Sequence, residues 1–190
     1  MLDNSSILGK AGRRVLMMGN EAIARGAIEA GIKVATAYPG TPSTEIVETL
    51  AEVAKNLGIH VEWAVNEKVA LEIALGAAFS GVRALVAMKA PGLNVAMDAL
   101  MSATYSGVNG GLVIVVADDP GPHTTQTEQD NRFTSKITLL PMLEPSDPRE
   151  AKDIVKEAFR ISEKLQLPVI VRTTTRVNHT SADVILGEIE

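Results

Sequence analysis

Four short segments of this 190-residue chain carry side chains whose types and placement could do chemistry. Tyr38-Pro39-Gly40-Thr41-Pro42-Ser43 sets two prolines around a glycine, a rigid loop whose backbone can come close to a ligand. Glu67 follows Trp63, Ala64 and Val65 and precedes Val69, Ala70, Ile73, Ala74 and Ala77. That setting is apolar enough to bury its carboxylate, and a buried carboxylate needs a partner. Lys89-Ala90-Pro91-Gly92, with Asn94 two residues on, puts a cation and a glycine at the mouth of a helical stretch. Asp118 opens a polar run, DDPGPHTTQTEQDNRFTSK, that contains His123. Each segment also has a plainer reading. Thr41 could be an N-cap with Pro42 at N1, Glu67 could answer the positive end of a helix, and His123 could be an ordinary loop histidine.

Other chemistries are excluded by residue type. The chain has no cysteine, so it can build neither a thiolate zinc site nor an iron–sulfur cluster, nor use a cysteine nucleophile. Gly19-Asn20-Glu21 is not a GxGxxG turn, no Walker A loop occurs, and no GxSxG elbow is present. His60 and His179 lie apart from these segments and receive no role. A net charge of -5, from 18 basic and 23 acidic residues, leaves no electrostatic footprint for nucleic acid or an anionic membrane. No apolar run approaches the roughly 20 residues of a membrane span, and MLDNSSILGKAGRR does not read as a signal peptide, so a cytoplasmic location is expected.

The elements that must position these residues follow from periodicity. Short branched apolar runs at 15–18, 33–37, 60–65, 84–88, 112–116 and 168–172 alternate with helical stretches at about 20–30, 43–57, 67–80, 92–107 and 148–165. This pattern predicts an α/β fold, a doubly wound, mostly parallel sheet of about six strands with helices on both faces. Asp147, Pro148 and Glu150 make the last helix the best marked, as N-cap, N1 proline and capping-box partner. Residues 118–138 read as one long loop, and long loops in compact domains usually carry function. Residues 1–12 read as a flexible lead-in, 13–176 as one domain and 177–190 as a tail or a linker to a further domain. In such a sheet, ligands bind beyond the carboxyl ends of the strands, so Thr41, Glu67, Gly92 and Asp118 should share one edge.

Taken together, YPGTPSTEI at 38–46, WAVNEKVALEIALGAA at 63–78, KAPGLNVAMDALM at 89–101 and GGLVIVVADDPGPHTTQTEQDNR at 110–132 carry a likeness. They resemble the pyrimidine-binding domain of the thiamine diphosphate-dependent 2-oxoacid:ferredoxin oxidoreductases, and the last segment resembles the branch that acts on indolepyruvate. The resemblance implies a catalytic role for Glu67, which matches the glutamate that hydrogen-bonds N1′ of the cofactor's aminopyrimidine and so assists proton removal from the thiazolium. It implies that Tyr38, Pro39, Gly40, Thr41, Lys89, Gly92 and Asn94 border the cofactor, and that Asp118 and His123 face the substrate.

The same resemblance implies a shared site. No GDG segment for the diphosphate occurs here, so Mg²⁺ and the iron–sulfur clusters are expected on partner domains or subunits. Those would be a diphosphate-binding domain, a ferredoxin-type domain and a second subunit, serving a 2-oxoacid, coenzyme A and ferredoxin. Where the pyruvate enzymes hold an arginine this chain has Asp118, which argues against pyruvate. The small subunit of a non-oxidative, sulfopyruvate-type decarboxylase and a non-catalytic flavodoxin-like binding module are the competing readings.

Overall fold

Strands rich in valine, leucine, isoleucine and alanine build a sheet that helices cover on both faces. The computed structural model describes residues 4–190. Its elements, in chain order, are α1 (Asn4–Ile7), β1 (Arg14–Met18), α2 (Gly19–Glu29), β2 (Val34–Ala37), α3 (Thr44–Leu57), β3 (His60–Trp63), α4 (Glu67–Phe79) and β4 (Ala84–Lys89). They continue with α5 (Ala90–Ser106), β5 (Leu112–Asp118), α6 (Arg132–Thr138), β6 (Met142–Leu143), α7 (Pro148–Leu165), β7 (Val169–Thr174), α8 (Thr175–His179) and β8 (Ser181–Ile185). Six strands form a sheet in the order β3-β2-β4-β5-β7-β6, every pair parallel.

Side chains of the central strands alternate between two cores. Leu85, Ala87, Val113 and Val115 join the core under α2, α3 and α7, while Ala84, Val86, Met88, Leu112, Ile114 and Val116 join the core under α4 and α5. Covering both faces is why these strands read as unbroken apolar runs. All eleven residues of α2 are buried. Gly26 permits this, because a Cβ there would lie 2.3 Å from the Lys152 carbonyl oxygen of α7.

Burying α2 also buries charge. Arg25 and Glu29 are both fully buried, with Arg25 Nε 2.9 Å from Glu29 Oε1. Arg25 further donates to the carbonyls of Ile7 and Gly187, at 2.6 Å each, so one guanidinium fastens both ends of the chain to the helix layer. Lys152, Lys156 and the Gly187 amide complete the shell around Glu29.

Four expectations are corrected. Residues 15–18 do form a strand, but β1 pairs antiparallel with β8 in a separate ribbon, and the short β6 is the sixth strand of the main sheet. Val15 and Met17 of β1 face the core while Leu16 is 66% exposed, as a ribbon covered on one side requires. The expected tail at 177–190 is integral: Val177, Val184 and Leu186 are buried and β8 closes against β1. The expected lead-in at 1–12 holds α1, whose Ile7 is buried; its residues 1–3 lie outside the described residues. The polar run at 118–138 is half loop, since α6 begins at Arg132. Among the described residues no helix is long and apolar enough to cross a membrane.

Candidate functional site

Because the sheet is parallel throughout, the carboxyl ends of β2, β3, β4, β5 and β7 lie along one edge, and Thr41, Glu67, Gly92 and Asp118 all follow or end those strands. After β2 the chain makes a tight turn in which the Ser43 amide donates to the Gly40 carbonyl at 3.0 Å and the Ser43 hydroxyl adds a second bond at 2.9 Å. That turn uses up residues 40–43, so the helix starts at Thr44 with Ser43 as its N-cap residue, not at Pro42 with Thr41 as the cap. Thr41 is thereby left exposed, as are Tyr38 and Pro39.

Two asparagines hold the turn from behind. Asn20 Nδ2 and Asn178 Nδ2 both donate to the Pro42 carbonyl, at 2.8 and 3.2 Å, and Asn178 also donates to Asn20. Sequence reasoning passed over both. The available signal was weak: one amide side chain at the start of a helix, and another in what read as a tail.

Glu67 stands at the first position of α4. The N-cap belongs to Asn66, whose Oδ1 accepts from the Val69 amide at 2.9 Å, so the helix end does not depend on the Glu67 carboxylate. Glu67 is 6% exposed, and no hydrogen bond or ion pair to its side chain exists among the described residues. It lies against Gly92, where an added Cβ would come within 2.6 Å of Glu67 Oε1 and 2.7 Å of its Cγ. Two segments singled out separately in the sequence thus meet in space, and only glycine leaves the carboxylate where it is. Lys89 ends β4 with its aliphatic stem under Gly40, whose Cβ would sit 3.0 Å from the lysine Cγ and Cδ. Asn94 is exposed and donates to Gln129 Oε1 at 3.0 Å, tying α5 to the long loop.

The loop is ordered by two adjacent carboxylates. Asp118 is fully buried, accepting from the Asn131 amide at 2.9 Å, from Asn131 Nδ2 at 2.5 Å and from Arg172 Nε at 2.8 Å. Its oxygens face inward to these partners, so the expectation that Asp118 meets the substrate is corrected: it fixes the two roots of the loop. Asp119 gathers the tip, accepting from the amides of His123, Thr124 and Thr125 at 2.8, 2.7 and 3.1 Å and from the Thr175 hydroxyl at 2.7 Å. Burial alone would raise its pKa, but these bonds prevail and hold it well below the usual carboxylate range. His123 is exposed, with Nδ1 3.5 Å from Asp119 Oδ1. The Thr124 hydroxyl reaches 3.4 Å from the Thr41 carbonyl, so the loop tip and the proline-rich turn touch.

Known proteins resemble this chain in sequence and in fold. The family described as "Pyruvate flavodoxin/ferredoxin oxidoreductase, thiamine diP-bdg" matches residues 25–190. The indolepyruvate oxidoreductase subunit IorA of Pyrococcus abyssi is 57% identical over 180 residues, covering 95% of this chain and 28% of that protein. The subunit of the same name from Archaeoglobus fulgidus is 50% identical over 190 residues, covering 98% and 30%. Among solved structures, the 2-oxoglutarate:ferredoxin oxidoreductase from Magnetococcus marinus, with 2-oxoglutarate, coenzyme A and succinyl-CoA bound, superposes with a TM-score of 0.81 at 25% identity over 92% of this chain and 31% of that one. The chain therefore spans less than a third of the length of these relatives.

Proposed function

This chain belongs to the thiamine diphosphate-binding family of the pyruvate flavodoxin/ferredoxin oxidoreductases, and from that premise we propose that it is the pyrimidine-binding part of an indolepyruvate:ferredoxin oxidoreductase. The complete enzyme would convert aryl pyruvates oxidatively to acyl-CoA, with ferredoxin as electron acceptor, in the cytoplasm. The observation that carries the proposal is Glu67, a buried carboxylate without a partner among the described residues, packed against a glycine whose missing side chain leaves it room. Relatives named as indolepyruvate oxidoreductase subunits, at 50 to 57% identity, favour this reading over a decarboxylase small subunit or a binding module.

When bound, thiamine diphosphate supplies the carbon nucleophile that 2-oxoacid chemistry requires. The donor set fits its aminopyrimidine: a buried carboxylate without a partner among the described residues suits the basic ring nitrogen N1′. Glu67 holds a proton at that nitrogen, and burial keeps water from competing for it. Gly92 and Gly40 bring backbone close without adding bulk. Thr41, free of any capping duty, offers its hydroxyl toward the reacting carbonyl, and Tyr38, Pro39, Lys89 and Asn94 complete the rim. His123 stands on the substrate side.

The charged diphosphate needs Mg²⁺ with oxygen ligands, which we assign to a diphosphate-binding domain elsewhere in the protein. Iron–sulfur clusters require thiolates and belong to a ferredoxin-type domain or the second subunit. Calorimetry tests the division of labour. This 190-residue chain titrated with thiamine diphosphate and Mg²⁺ should bind weakly, whereas the full-length protein should bind tightly. Submicromolar binding by the short chain alone would overturn the half-site reading.

A further inference from the structure

We infer that Arg176 holds the carboxylate of the 2-oxoacid, in a cavity between the long loop and the end of β7; the inference rests on the oxidoreductase reading above. Pro120, His123, Thr174, Thr175 and Arg176 line a cavity of about 420 Å³, within the size range of small-molecule sites. It adjoins the proline-rich turn through a chain of bonds: Thr175 to Asp119, Asp119 to the Thr124 amide, and the Thr124 hydroxyl to the Thr41 carbonyl. On the far side of Arg176, Asn178 is bonded to the Pro42 carbonyl. The short segment that carries Arg176 is thus fastened on both sides to the loops of the candidate site.

What distinguishes Arg176 is that it has no partner. Seven other arginines, from Arg14 to Arg172, each lie within 3.8 Å of a carboxylate. Arg176 is exposed and makes no side-chain bond or ion pair among the described residues. Arg172, the nearest alternative in sequence, is neutralised by Asp118 and Glu144. Asp119 does not compete for Arg176 either, since its oxygens are taken up by Thr175 and by three loop amides.

A guanidinium with a free fork matches a carboxylate through two parallel hydrogen bonds, which a lysine cannot reproduce. Thr174 and the His123 ring add polar atoms beside it, and Pro120 offers an apolar wall to the aryl body. A carboxylate is the anion the proposed substrate always carries. The phosphates of coenzyme A are the other anions of the reaction, and kinetics separate the two.

The test uses the complete oxidoreductase with Arg176→Gln and Arg176→Lys. Arg176→Gln should raise the KM for indolepyruvate by roughly 10- to 100-fold, the value of a charge-assisted bidentate contact, with a smaller fall in kcat and an unchanged KM for coenzyme A. Arg176→Lys should recover part of the loss. Indole-3-propionate should inhibit the wild type more strongly than indole-3-propionamide, and Arg176→Gln should erase that preference. An active wild type whose Arg176→Gln variant keeps its KM for indolepyruvate, or loses affinity for coenzyme A instead, overturns this assignment alone. A full-length wild type inert toward aryl pyruvates overturns the proposed function, and this assignment with it.

Discussion

Glu29 and Glu67 are both buried on helices, and the chain treats them in opposite ways. Glu29 is enclosed by Arg25, Lys152, Lys156 and the Gly187 amide, and its cluster joins the two ends of the chain to α2 and α7. Glu67, at the carboxyl edge of the sheet, has no such shell and faces a glycine. Burying an ion is costly unless partners repay the lost hydration. A satisfied buried charge therefore speaks for architecture, and an unsatisfied one at a rim of loops speaks for a ligand.

The sharpest break between the two regions should come from removing each glutamate in turn. Glu29→Ala leaves three cations around an empty space and should destabilise the chain by about 3–5 kcal/mol, the usual cost of breaking a buried pair, as measured by urea denaturation. Burial by itself would raise the pKa of Glu29, but Arg25, Lys156, the Gly187 amide and the charge of Lys152 outweigh it and bring it below its ordinary 4.5. Because the folded value is the lower one, this stabilisation is complete above about pH 4.5 and is lost as pH falls through the folded value. Glu29→Ala should accordingly show a shallower acid-induced loss of stability than wild type.

Glu67→Gln should do the reverse. Stability should change by no more than about 1 kcal/mol, while turnover of the complete enzyme drops by at least about 10²-fold, the low end for a positioned proton-transfer group. Equal turnover in wild type and variant would reduce Glu67 to a helix-end carboxylate. Gly92→Ala sharpens the point at smaller amplitude. The atoms nearest its methyl would be Glu67 Oε1, Cγ and Cδ, so the Glu67 side chain must shift, while the helix-propensity gain of up to about 1 kcal/mol offsets part of that cost and the chain should still fold. Displacing Glu67 should nonetheless lower turnover by roughly tenfold or more, since positioning errors of about 1 Å are costly. At the bottom of the scale, Arg14→Ala breaks the exposed pair with Asp183 at 2.9 Å and should change the unfolding free energy by less than about 1 kcal/mol. A larger shift would show that the β1–β8 ribbon depends on surface charge rather than on its buried face.

Local signals were enough for some of this and could not reach the rest. The last helix was legible to its bounds because Asp147 caps the Glu150 amide at 2.9 Å and Pro148 opens the first turn. The edge that gathers Thr41, Glu67 and Gly92 was legible because parallel order forces the post-strand residues to one side. The pairing of β1 with β8 was not, since the two strands lie over 160 residues apart and neither carries a mark of its partner. Arg25 and Glu29 sit in an alanine-rich helix whose complete burial depends on Gly26 against α7, a fact of packing alone. Asp118 and Asp119 are neighbours of one type with different tasks, and only their bonds tell the root of the loop from its tip. Arg176 reads like any tail arginine until the cavity beside it is seen.

The most direct measurement of the central claim, that Glu67 is left without a partner in order to share a proton with the bound pyrimidine, is hydrogen–deuterium exchange at C2 of thiamine diphosphate bound to the full-length protein. Followed by quenched-flow NMR in wild type and Glu67→Gln, exchange should be slower by at least about 10²-fold in the variant at comparable cofactor occupancy. Equal exchange rates at equal occupancy would contradict the claim and leave the buried carboxylate without a chemical role.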